Sequence, residues 1–203
     1  MAVPVIIVGY MFLGIGVFFT IVLHAHYLYH NFTRGFLERT RQTASDVLII
    51  GPLGQASGGF ILLGAAAQSN FPEYKRGTFL QASAGSALSA ASVMMAFLLL
   101  GFSFILALTV FTFLLENIKK WKFSLGWWTL IFPVGIPYHF PSTDVAVNVN
   151  ALIALSTALD SPAFRVLSTA LTLLLILAWL VLAPLTILHM RKLLRIQKNE
   201  NLE

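Results

Sequence analysis

Residues 4–29, 47–67, 88–115 and 166–189 contain no Asp, Glu, Lys or Arg. Apolar stretches of that length leave a chain little choice of fold. No water reaches backbone N–H and C=O groups inside a bilayer, so a spanning segment must satisfy them internally, as a helix does. A hydrocarbon core takes about 20 residues of helix to cross, and each stretch reaches that length. Composition agrees: 10% of residues are charged and 58% hydrophobic, against about 25% charged in soluble domains. The chain therefore reads as an all-α, polytopic membrane helix bundle. The first stretch exceeds a signal-peptide core and lacks a basic leader, so it counts as a true span. The third is longer than a bilayer needs and is expected to tilt or to extend out of it.

A further span is expected from Trp127 onward. Lys119, Lys120 and Lys122 precede Phe123-Ser-Leu-Gly-Trp-Trp-Thr-Leu-Ile-Phe-Pro-Val-Gly135. Lysines followed by Trp127 and Trp128 read as interface anchors at a cytosolic helix end. Pro133 removes a backbone donor and kinks the helix, and Phe132 sits at the bend with Gly135 just beyond. Residues 136–144 are polar and carry two prolines, and apolar sequence resumes at 145–159. The expectation is a single transmembrane domain over 1–203, with five spans. The second and fourth are broken by proline and glycine.

Ten of the 13 Lys and Arg residues fall after span one, after span three and in the tail. Five spans put those three segments on one side. Basic loops stay cytosolic, which places the C-terminus in the cytosol and the N-terminus outside. The sequon Asn31-Phe32-Thr33 then lies on the cytosolic side and is expected unmodified. The net charge of +5 sits in short loops between apolar runs, so no nucleic-acid partner is implied. The chain has no cysteine, which excludes disulfides and thiolate metal sites.

Within span two, Gly51, Gly54, Gln55 and Gly58 share one helical face at 100° per residue, with Pro52 beside them. Two readings stand: close helix packing through the Gly54–Gly58 pair, or a narrow polar wall of a conduction path. Residues 81–92 are mostly Ala, Ser and Gly and read as a packing surface. Phe97, Phe104 and Phe111 recur every seventh residue and read as packing or lipid contact. His24, His26 and His30 do not converge on one face, and no carboxylate stands near them, so neither metal nor cofactor is expected. No acidic relay lies inside the spans. No nucleophile–base grouping, phosphate loop or nucleotide fingerprint marks an enzyme.

Gly51-Pro-Leu-Gly-Gln55, followed by Trp127-Trp128…Phe132-Pro133-x-Gly135, resembles the tellurite-resistance/dicarboxylate transporter family of slow anion channels, and is most similar to its fungal sulphite efflux branch. The resemblance covers nearly the whole chain, as helices six to ten of a ten-helix fold. In that fold odd-numbered helices line a central pore, which here implies inner spans two and four. It implies a pore gate at Phe132, and a path shaped by Gly51, Pro52, Gly54, Gln55, Gly58, Pro133 and Gly135. It further implies a small anion substrate, sulphite first and a C4-dicarboxylate such as malate second, and a plasma-membrane location. Three inner helices are missing, so a pore requires assembly, with homo-oligomers one route. Residues 136–144 depart from the family as a polar insertion. Met1 stands directly before sequence internal to the family's fold, so a truncated, non-transporting remnant is the third reading.

Overall fold

The computed structural model describes residues 2–34, 45–74, 80–116, 128 and 147–200. These residues form five α-helices: α1 (Ala2–Arg34), α2 (Gly51–Asn70), α3 (Ala82–Glu116), α4 (Val147–Ala158) and α5 (Pro162–Glu200). Short 3-10 segments, Ser45–Ile50 and Phe71–Glu73, flank α2. There is no strand among the described residues. Among the described residues, four stretches are long and apolar enough to cross a bilayer: Ala2–Thr33, Leu48–Glu73, Ala82–Thr112 and Pro162–Arg191. With 12 residues, α4 is too short to span alone. It coincides with the apolar stretch that resumes after residue 144. The earlier part of the expected fourth span, Trp128 apart, lies outside the described residues.

The first three helices run antiparallel. Leu63 approaches Gly9, Leu13 approaches Gly59 and His24 reaches Ile49, so contacts climb α1 as they descend α2. Ser57 meets Ala96, Gly64 meets Ser92 and Gly85 meets Ala67 in the same alternating sense. Three apolar clusters result. Val3, Ile6, Ala67 and Phe71 close one end. Ile61, Ala96, Leu100, Ala151, Leu152 and Leu155 fill the middle. Tyr27, Ile50, Leu53, Leu106 and Val110 close the other end.

The central helix is α2, which packs against α1, α3 and α4. Small side chains put it there. A Cβ at Gly64 would come within 2.8 Å of Ser92 Cβ and 3.1 Å of Ser89 Cα, a backbone atom. Without glycine the two helices could not approach so closely. The small-residue run at 81–92 is the matching surface on α3, where a Cβ at Gly85 would meet the Ala67 carbonyl at 2.9 Å.

Outward faces are apolar. Phe18 and Phe19 on α1 are each 74% exposed, and Leu173, Leu174, Leu177 and Val181 on α5 are exposed too. An apolar surface this extensive needs an apolar solvent, and lipid supplies it. Two threonine hydroxyls at membrane depth bond back to their own helix: Thr109 donates to the Ile105 carbonyl and Thr172 to that of Ser168. The phenylalanine stripe divides. Phe97 packs its ring 5.7 Å from that of Phe164, while Phe104 and Phe111 are exposed.

A tight turn joins α4 to α5. Asp160 takes the left-handed conformation, φ 46°, which aspartate tolerates better than most residues. The Ser161 N–H donates to the Ser156 carbonyl at 3.1 Å and the Leu159 N–H to that of Leu155 at 3.0 Å. These bonds stop α4 and reverse the chain within three residues.

Candidate functional site

The glycine face of α2 meets α4. A Cβ added to Gly54 would collide with the Asn148 amide. One turn on, a Cβ at Gly58 would make ordinary contact with Ala151, 3.8 Å from its Cα. These contacts advance together along both helices, so α4 runs parallel to α2. Gly51 and Gly54 are buried, Gly58 and Pro52 are half-buried, and Gln55 is exposed on the surface of the chain. The junction between helices is thus narrower than the 100° arc that groups all four residues, and Gln55 stands at its edge.

Asn148 is 9% exposed. Its Oδ1 accepts the Ser103 hydroxyl of α3 at 2.9 Å. One amide therefore ties three helices at one level: Gly54 makes room for it, Ser103 orients it and α4 carries it. Beside it, Ser57 donates to the Ala96 carbonyl at 3.0 Å, a second polar tie between α2 and α3. Polar side chains inside a membrane are costly unless they are paired, and these are paired. The sequence signal for Asn148 was an asparagine recurring in Val-Asn-Val-Asn, residues 147–150, inside an apolar run. That stretch reads as resumed span and its asparagines pass unremarked. Ser103 carries no such signal, since a lone serine in an apolar helix commonly bonds its own turn.

Trp128 Nε1 donates to Thr186 Oγ1 on α5 at 2.9 Å, and the Thr186 hydroxyl donates in turn to the Leu182 carbonyl. This ties the tryptophan to the bundle. Trp127, Phe132, Pro133, Gly135 and residues 136–144 lie outside the described residues. Of the histidines, His24 is buried against two backbone carbonyls, while His26 is exposed and its ring lies 6.4 Å from that of His30.

Four lipid-length helices around a small-residue core, with neutral polar ties between them, define a polytopic α-helical membrane protein. A profile described as voltage-dependent anion channel matches residues 1–187. The chain belongs to that family. Among curated proteins, it is 31% identical over 146 residues to the sulfite efflux pump SSU1 of Trichophyton rubrum, and equally to that of Arthroderma benhamiae. It is 30% identical to the pump of the same name from Arthroderma otae. Each alignment covers 70% of this chain and 34% of the relative. The chain thus matches about a third of the length of these pumps. No solved structure matches.

Proposed function

We propose that the chain is a segment of a small-anion transporter or channel, with sulphite as the solute and the plasma membrane as its site. The observation that carries this reading is the chemistry of the buried polar side chains. Among the described residues they are hydroxyls, amides and one imidazole, with no carboxylate. A buried carboxylate would repel an anion strongly at low dielectric, whereas the neutral groups that stand there do not. Family membership and the sulfite efflux pumps among its relatives support the solute class. A dicarboxylate ranks below sulphite, because its two charges call for a basic or multiply donating site, and 47–67 and 127–159 contain no Lys or Arg.

In this reading the α2–α4 junction forms one wall of the path, and Gly51, Gly54, Gln55 and Gly58 shape it. Phe132 is the gate, an apolar ring that excludes water from the constriction, and Pro133 and Gly135 bend the helix that carries it. Other helices, from a second copy or a complementary half, complete the pore, and the C-terminus is cytosolic.

The test is efflux of sulphite and malate from vesicles holding the purified chain, normalised to folded protein. Sulphite flux above that of empty vesicles is expected, and a larger malate flux would reverse the solute assignment. Phe132→Ala should raise basal sulphite flux, while Phe111→Ala, on the exposed face, should not. Absence of flux from every variant and from the unmodified chain would replace this reading with a non-transporting segment.

A further inference from the structure

His24 lies on the inner face of α1 and is 2% exposed. Its Nδ1 stands 2.6 Å from the Thr20 carbonyl oxygen, one turn back on its own helix. Its Nε2 stands 2.9 Å from the Ile49 carbonyl oxygen, in the 3-10 segment that leads into α2. The ring is covered by Phe102 of α3, with centroids 5.6 Å apart. Both partners are carbonyls, and a carbonyl can only accept. A neutral imidazole has one N–H and can serve one of them, while an imidazolium has two and serves both.

The Ile49 carbonyl has a particular need for a donor. In a 3-10 ladder each N–H serves the carbonyl three residues back. Three residues after Ile49 stands Pro52, which has no N–H. His24 Nε2 reaches this carbonyl from across the helix interface.

We propose that His24 is a proton-dependent latch between α1 and the start of α2. The charged ring holds both carbonyls and clamps the 3-10 segment to α1. The neutral ring keeps one and leaves the other facing a lone pair, which loosens the segment that sets where Gly51 and Gly54 sit. The surrounding elements add little competing charge. α2 carries no ionisable residue, and α3 carries none before Glu116. On α1, Tyr27, three residues further along, is buried in the cluster against which Ile49 and Phe102 pack. The nearest other imidazole in sequence, His26, is exposed. In the 3-10 segment, the side chain of Asp46 lies outside the described residues.

The test is amide hydrogen exchange across residues 48–54 of the whole chain in lipid nanodiscs, corrected for intrinsic exchange, between about pH 8 and about pH 5.5, the range over which histidine changes charge. One added hydrogen bond should slow exchange there by about two- to tenfold on acidification. His24→Phe keeps a ring against Phe102 and removes both N–H groups, so it should abolish the pH dependence. His26→Phe, two residues away on an exposed position, should preserve it. Ring-nitrogen NMR of the unmodified protein supplies an arm that needs no variant to fold. Both His24 nitrogens should carry protons in the acid state. Exchange at 48–54 that ignores pH in the unmodified chain, the same pH dependence in His24→Phe, or a ring that stays neutral throughout would each overturn the latch. None of these readouts depends on transport, so the latch and the anion-transport reading stand or fall separately.

Discussion

α2 and α5 are both lipid-length apolar helices with a proline, yet they occupy opposite places in the bundle. Pro52 stands in the first turn of α2, where it removes no hydrogen bond within that helix, while Pro184 stands inside α5. α2 is built largely from Gly, Ala and Ser and packs against three neighbours. α5 is rich in leucine and exposes much of its length. The leucine-rich helix is the outer one. In water, the helix with more apolar bulk would sit inside. In lipid, burial brings no gain from leaving water, so closeness of approach decides, and small residues win the centre.

That contrast is broken most directly by size. Gly54→Leu should destabilise the bundle by about 3 kcal/mol or more, through the clash with Asn148. Leu177→Ala on α5 should cost about 0.5 kcal/mol or less, because lipid fills the space. Reversible unfolding in mixed micelles measures both, and comparable losses would show that bulk rather than fit orders the helices.

A finer test uses one methyl group. Gly64→Ala sets a Cβ 2.8 Å from Ser92 and should cost about 1–3 kcal/mol. Gly58→Ala meets Ala151 at ordinary distance and should be neutral, or stabilising by up to about 1 kcal/mol from helix propensity. Opposite signs from one substitution on one helix would locate the tight contact, and equal effects would dissolve it.

The polar tie should weigh less. A double-mutant cycle on Ser103→Ala and Asn148→Ala should return a coupling of about 0.6 kcal/mol, typical of interhelical hydrogen bonds in membranes. A coupling near zero would make Asn148 a filler beside Gly54 rather than a tie. Comparably small, Trp128→Phe removes the bond to Thr186 and should cost about 0.5 kcal/mol. It should be read by fluorescence-independent unfolding, since the tryptophan itself is changed.

Helix identity was legible because charge-free runs report lipid contact directly. The ends were less so. The first run stops at residue 29 while α1 continues to Arg34, and the last begins at 166 while α5 begins at Pro162. Hydropathy registers where lipid stops, whereas backbone hydrogen bonds carry a helix on into water. Gln55 shows the limit of a helical wheel. It shares an arc with Gly51 and Gly54, but only the neighbour's position decides which edge of the arc is covered. His24 shows a deeper limit. Its partner across the interface is a backbone carbonyl, and backbone atoms leave no trace in residue type. Pro52 was the one readable half of that contact, since a proline three residues after a carbonyl in a 3-10 segment leaves that carbonyl short of a donor.

The turn at Asp160 has a mechanical consequence. Three residues and two hydrogen bonds leave no slack between α4 and α5, so the two helices pivot as one bent lever. The long arm, 39 residues, measures about 58 Å at 1.5 Å per residue. By that length a pivot of about 5° at the turn sweeps the far end through about 5 Å. The short arm, with Asn148 near its tip, moves by less than a third as much, so a small adjustment beside Gly54 becomes a large displacement at the C-terminal end of α5.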